Sequence, residues 1–123
     1  MPDIWRVYRV KNCRYTNPPK DKFVVIVCID IEYMGFLINS IISTFIAKRP
    51  HMAECQVALS KSDYGFLFHD SYLDCAQIYA FDYSELIVGL GLVNDKTKAE
   101  IKTAVSKAKT IEKHYQELIL NNP

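Results

Sequence analysis

Long apolar runs are scarce in this sequence: the longest, Phe23-Val24-Val25-Ile26-Val27-Cys28-Ile29, is closed by Lys22 and Asp30. It falls far short of the roughly 20 residues that a membrane-crossing helix needs. An apolar N-terminal region is missing too, because Asp3, Arg6 and Arg9 interrupt it. That argues against a signal peptide and for a cytoplasmic protein with no membrane partner. Glycine and proline are few, four and five, and no repeat or low-complexity segment occurs, which excludes collagen-like and disordered classes. The net charge is only +1, so no whole-protein field gathers nucleic acid. None of the four cysteines (Cys13, Cys28, Cys55, Cys75) forms a C-x-x-C pair, and no ligand cluster stands at metal spacing. Reduced, mostly buried thiols are expected, with no metal and no cofactor.

What is present suits one domain spanning residues 1–123. Half the residues are hydrophobic and 24% are charged, and a chain of this length buries roughly two thirds of its unfolded surface. Charge is unevenly placed. Residues 1–22 carry Arg6, Arg9, Lys11, Arg14, Lys20 and Lys22 against Asp3 and Asp21. Two readings stand: a solvated edge strand and loop guarded by cations, or a local lip that binds phosphate. The pattern alone favours the first.

Strand signals dominate the first two thirds. Ile4–Val10 is rich in strand formers, and residues 11–22, with Pro18-Pro19, read as a loop. Phe23–Ile29 is apolar without alternation, the mark of a strand buried on both faces. A further strand begins at Phe36, residues 39–49 are ambiguous, and Glu54–Leu59 and Gln77–Phe81 alternate as half-exposed strands. Asp82-Tyr83-Ser84-Glu85 has capping spacing for a short helix that Gly89 or Gly91 ends. Thr97-Lys98-Ala99-Glu100 reads as a capping box, followed by an apolar stripe from Ile101 through Ile111 to Leu118 and Ile119. One uninterrupted helix over 96–120 would span roughly 37 Å. Strands first and a closing helix predict a mainly β antiparallel class with α, not alternating β/α.

The ordered series Tyr64-Gly65-Phe66, Asp70-Ser71, Gln77-Ile78, Asp82-Tyr83-Ser84-Glu85-Leu86 and Gly91 resembles the second half of the MazF/PemK family of toxin endoribonucleases, of the Kid/CcdB fold type. Asp3-Ile4-Trp5 resembles that family's opening, and Lys22-Phe23-Val24-Val25-Ile26-Val27 its first long strand. Together the match covers about four fifths of the chain. The resemblance implies a small SH3-like barrel, a homodimer, metal-independent cleavage of single-stranded RNA to a 2′,3′-cyclic phosphate, and an antitoxin partner covering the same groove.

Residue by residue, the resemblance places the working cation at Lys22 and the hydroxyl after the next strand at Ser40. Lys22 lacks the planar fork of the family's arginine. The cluster His69-Asp70-Ser71-Tyr72 resembles a PemK-like string: His69 would be an acid or base near neutral pH, and Ser71 a phosphate donor. Catalytic roles are therefore expected at Lys22, Ser40, His69 and Ser71. Contacts with RNA are expected at Arg14, Lys20, Asp70, Tyr72 and Tyr79, with Tyr72, Tyr79 and Tyr15 able to stack on unpaired bases. For each of these a bland reading stands beside the functional one: solubilising cation, strand-end cap, local turn or packing ring. Ala76 and Tyr79 occupy positions that the family charges, which keeps a second function in view. That alternative is a degenerate barrel that binds RNA or protein without cutting it.

Overall fold

The computed structural model describes every residue from Met1 to Pro123. Seven strands form one antiparallel sheet: β1 (Arg6–Cys13), β2 (Lys20–Ile29), β3 (Tyr33–Asn39), β4 (Gln56–Leu59), β5 (Ser71–Asp74), β6 (Tyr79–Phe81) and β7 (Val88–Leu92). Their order is β4-β5-β3-β2-β1-β7, and β6 joins the same edge of β3 as β5. The sheet curls into a half-barrel, and β2 lies at its centre with both faces covered. Val25, Val27 and Cys28 enter the larger core with Phe36, Leu73, Ile101 and Ile119. Val24 and Ile26 enter a smaller one with Val10, Leu37 and Phe81. An apolar run without alternation is what two buried faces require.

Several local expectations shift. Residues 11–13 and 20–22 belong to β1 and β2, so the loop is shorter than predicted and Lys22 sits within a strand. The change of register between Val10 and Cys13 is a bulge at Asn12, whose φ of 48° suits asparagine, and the Asn12 N–H donates to Asp21 at 2.9 Å. The ambiguous segment 39–49 leads into two single helical turns, α1 (Thr44–Ala47) and α2 (Pro50–Ala53). Asp82 and Glu85 do form a capping box, but around one 3₁₀ turn, Tyr83–Glu85. Gly89 and Gly91 end no helix: both lie in β7.

The long closing helix breaks in two. α3 (Asp95–Lys107) begins with Asn94 as its cap, whose side chain accepts from the Thr97 N–H at 2.8 Å. The box expected at Thr97 is absent because Thr97 is buried in the first turn, where its hydroxyl accepts from Tyr64 OH at 2.6 Å. The chain then turns, and α4 (Lys113–Leu120) packs back against β2. Gln116 makes the turn possible by donating to the carbonyls of Val105 (2.8 Å) and Ala108 (2.9 Å), while the Thr110 hydroxyl donates to Ala76 O. Folding back buries Ile111 and Ile119 within the chain's own core. The apolar extension is thus used internally and is not left open for a partner.

Candidate functional site

β5 and β6 are one strand with a loop pushed out of it. Between Ile38↔Leu73 and Gly35↔Tyr79, β3 advances three residues while the opposing strand advances six. Bulges of this kind re-aim side chains. Here the excursion carries Asp74, Cys75, Ala76, Gln77 and Ile78, and it opens a trough across β2 and β3. One arm, about 320 Å³, is lined by Lys20, Lys22, Ser40, Phe68, His69 and Ser71 among others. A second arm, about 390 Å³, shares Lys20, Lys22 and Ser40 and continues past Asn39, Asp74 and Gln77 to Tyr15, Phe45 and Tyr79.

The four residues assigned catalytic roles from sequence therefore line one concavity, although they come from β2, the end of β3 and the approach to β5. Lys22 stands at the junction of the arms. One step beyond the Phe23↔Ile38 pair it faces Asn39, and its Nζ donates to Asn39 Oδ1 at 2.6 Å. Burial, with Lys20 nearby, lowers the Lys22 pKa from the ordinary lysine value. The Ser40 side chain is exposed and has no partner within the chain. The Ser71 side chain is buried and its hydroxyl donates to His69 O at 2.9 Å. That bond occupies the proton expected for phosphate and makes Ser71 a support for the His69 backbone.

The other contact residues divide. Lys20 and Tyr79 lie in the trough, and Tyr79 stacks on Tyr15 with ring centroids 4.5 Å apart. Burial, then the Asp74 charge, raises the Tyr79 phenol pKa. Arg14 is not in the trough: it pairs with Glu85 at 3.2 Å and donates to Ala80 O at 2.9 Å. Asp70 and Tyr72 line a separate hollow with Lys96 and Glu100, and Asp70 accepts from the Lys61 N–H at 2.9 Å. Position along the sheet separates them: Tyr72 pairs with Ala58 of β4, toward the β4 edge, and Asp70 precedes β5, while Ser71 borders both hollows.

The basic lip is narrower than its composition. Arg6 pairs with Asp3 at 2.8 Å and Arg9 with Asp21 at 2.6 Å. The N–H of Asn12 and then Arg9 hold the Asp21 carboxyl below its usual range. Lys20 and Lys22 remain as the trough's cations without an acidic partner. Sequence reasoning missed Asn39 and Asp74, because only strand pairing and the bulge bring them to this wall. It missed Phe68 as well, an 84% exposed ring beside His69, for which exposure was the missing signal.

All four thiols are buried and unpaired, and no helix is long and apolar enough to cross a membrane. No family model matches the chain, and no curated protein matches it. Solved structures do. An endoribonuclease in complex with its cognate antitoxin from a Mycobacterial species aligns with a TM-score of 0.64 at 22% identity, over 91% of this chain and 98% of that one. The Mycobacterium tuberculosis toxin MazF-mt6 aligns with a TM-score of 0.63 at 11% identity, over 87% of this chain and 98% of that one. The curled antiparallel sheet, its closing helices and the strand order that frames the trough are the fold of the MazF toxins.

Proposed function

We propose that the chain is a toxin-like endoribonuclease that cuts single-stranded RNA in this trough. The observation that carries the reading is Lys22, a partly buried amine of lowered pKa at the junction of two arms, with Ser40 and His69 on the same concave wall. A fold shared with an endoribonuclease and with a MazF toxin supports it. Neutral His69 takes the proton of the ribose 2′-OH, and the 2′-oxygen forms a bond to phosphorus. The bond from phosphorus to the 5′-oxygen breaks, and the Lys22 ammonium gives that oxygen its proton. The products are a 2′,3′-cyclic phosphate and a 5′-hydroxyl. Lowered pKa makes Lys22 a stronger acid than an ordinary lysine, and its charge opposes the negative charge that builds on the phosphate. Ser40 donates to a non-bridging oxygen, and Ser71 holds the His69 loop.

The natural protein partner under this reading is an antitoxin seated on the trough. The Mycobacterial endoribonuclease of the same fold, solved in complex with its cognate antitoxin, supports a partner of that kind. A homodimer is also part of the proposal. It is supported by the edge strand β7 and the residue before it, where Ile87, Val88 and Leu92 are 75%, 46% and 54% exposed. The alternative, a barrel that binds RNA without cutting it, is favoured by Ala76, which is buried and uncharged, and by Tyr79, whose hydroxyl is engaged with Gln77 Oε1 at 2.6 Å. Incubating the purified protein with single-stranded RNA and excess chelator separates the two. Cleavage products ending in 2′,3′-cyclic phosphate are expected. Salt-sensitive binding without any cleavage would move the function to the binding module.

A further inference from the structure

Asp74 is a carboxylate without a cation. It is 6% exposed, and none of the chain's ion pairs includes it. Its Oδ1 is clamped by Gln56 Nε2 at 2.8 Å and by the Ala76 N–H at 3.0 Å, the local turn that starts the bulge. Its Oδ2 has no partner. That oxygen is not sealed in, because Trp5 Nε1 is the only enclosed side-chain polar atom left without a hydrogen bond. Asp74 lines the second arm of the trough, so Oδ2 presents a bare acceptor there. An open carboxylate oxygen with no donor from the protein is free to accept a hydrogen bond from a ligand, and bonds to a charged group are the stronger ones.

Its neighbours set what that ligand is. Extending the Ile38↔Leu73 register by one step puts Asp74 opposite Leu37, between Asn39 and Gly35 on the same face of β3. Asn39 flanks one side; the Gln77–Tyr79 pair flanks the other, because Tyr79 sits opposite Gly35. Asn39 Oδ1 is taken by Lys22 and Gln77 Oε1 by Tyr79, which leaves both amide NH₂ groups as donors. Along the wall the order is donor, acceptor, donor. Phosphate is repelled by Asp74 and drawn to Lys20 and Lys22, so this arm takes a base, with Tyr15 and Tyr79 as ring surfaces.

Resting on the endoribonuclease reading of the trough, we infer that this arm is a nucleobase subsite selective for unpaired uracil: Asp74 Oδ2 accepts from N3–H, and the Asn39 and Gln77 amides donate to the flanking carbonyl oxygens. Cytosine turns a ring acceptor toward Asp74. Guanine matches two of the three groups but turns its amino group against a donor. Adenine has no carbonyl and turns the ring acceptor N1 toward Asp74.

Binding of 2′-O-methyl hexamers, which cannot be cleaved through the 2′-oxygen, tests the subsite by fluorescence anisotropy. Oligouridine is expected to bind about 10- to 100-fold tighter than oligo-N3-methyluridine or oligocytidine, the range for a hydrogen bond to a charged group. Asp74→Asn keeps the Oδ1 clamp and turns a donor to the arm, and should abolish the preference for uridine over cytidine. Gln77→Ala, at an exposed position, should weaken oligouridine alone by about fivefold, so the idea stays testable if Asp74→Asn does not fold. Equal binding of uridine, N3-methyluridine and cytidine hexamers would overturn the uracil subsite while leaving the trough an RNA site. An Asp74-dependent preference for oligoguanosine would overturn the choice of base. Failure to bind any hexamer, with no cleavage of any RNA, would overturn the endoribonuclease reading and the subsite with it.

Discussion

Replacing Lys22 with methionine removes one charge and keeps much of the side chain's length. Where the site is partly dry, a unit charge about 4 Å from the phosphate is worth about 4 kcal/mol at an effective dielectric of about 20. That converts to about 10³-fold in rate, and losing one stabilising donor elsewhere costs about 10²–10³-fold, so a fall in this range is expected. Lys20 lines the same trough but is exposed, and there the same distance is worth about 1 kcal/mol, or about fivefold. Stability should scarcely move. Burial already disfavours the Lys22 ammonium, so methionine relieves that cost and leaves only Asn39 Oδ1 at the trough wall without its donor. The assay pairs single-turnover cleavage of single-stranded RNA with urea unfolding for Lys22→Met, Lys20→Met and Lys22→Arg. The pH profile adds a sign. Because the folded pKa is lowered, the working cation is lost with rising pH earlier than for an ordinary lysine. Activity should therefore decline on the alkaline side, and Lys22→Arg should remove that decline. Lys20→Met slowing cleavage as much as Lys22→Met, or Lys22→Met within threefold of wild type, would refute the reasoning.

Gly35→Ala should destabilise by about 1–3 kcal/mol in urea unfolding, because a Cβ there would meet Val25 O at 2.7 Å, with Ile26 Cδ1 and Val24 Cγ1 at 3.0 Å. An unchanged midpoint would show that the β2–β3 contact is looser than described. Gln116→Ala should cost about 1–3 kcal/mol by leaving the Val105 and Ala108 carbonyls without their donor, and a loss under 0.5 kcal/mol would deny Gln116 its place in the turn. Thiol titration at pH 8 should label almost no cysteine in the native protein and all four after denaturation, since all are buried and burial pushes Cys28 up to about 12. Burial raises the thiols of Cys28, Cys55 and Cys75, so these three ionise near their ordinary pKa of about 8.5 in the unfolded chain and later in the native one. Their contribution to stability is complete below that value and is lost as pH rises through their raised native values. A urea midpoint that rises between pH 8 and pH 10 would contradict it, since the raised thiols and phenols outnumber the single opposing amine of Lys22.

Much of the fold was legible where a signal is local and repeated. Phe23–Ile29 announced a strand buried on both faces, and the alternation in Gln56–Leu59 survives as β4. The closing helix was legible only in part. The stripe from Ile101 to Ile119 keeps helical spacing through a turn that contains neither proline nor glycine, so periodicity alone continued it. What breaks it is distant in space: Gln116 reaches back to the end of α3, and Thr110 reaches Ala76. The cap at Asn94 was likewise hidden, because Thr97 and Glu100 imitate a box three residues later while Tyr64 draws Thr97 inward.

Residue identity by itself set the strand-rich class, the reduced and buried thiols, and the candidates Lys22, Ser40, His69 and Ser71. The first two readings need only side-chain chemistry and the order of the chain, and the four candidates follow from the family resemblance of the motifs that hold them. Tertiary structure decided which candidates share a wall and which do not. Pairing across β2 and β3 put Lys22 beside Asn39, and pairing with β4 carried Tyr72, with Asp70 before it, to another hollow while Glu85 took Arg14. The bulge after β5 brought Asp74 to the trough with one oxygen clamped and the other bare. A register and a bulge are properties of two strands together, set by the hydrogen bonds and packing each offers the other.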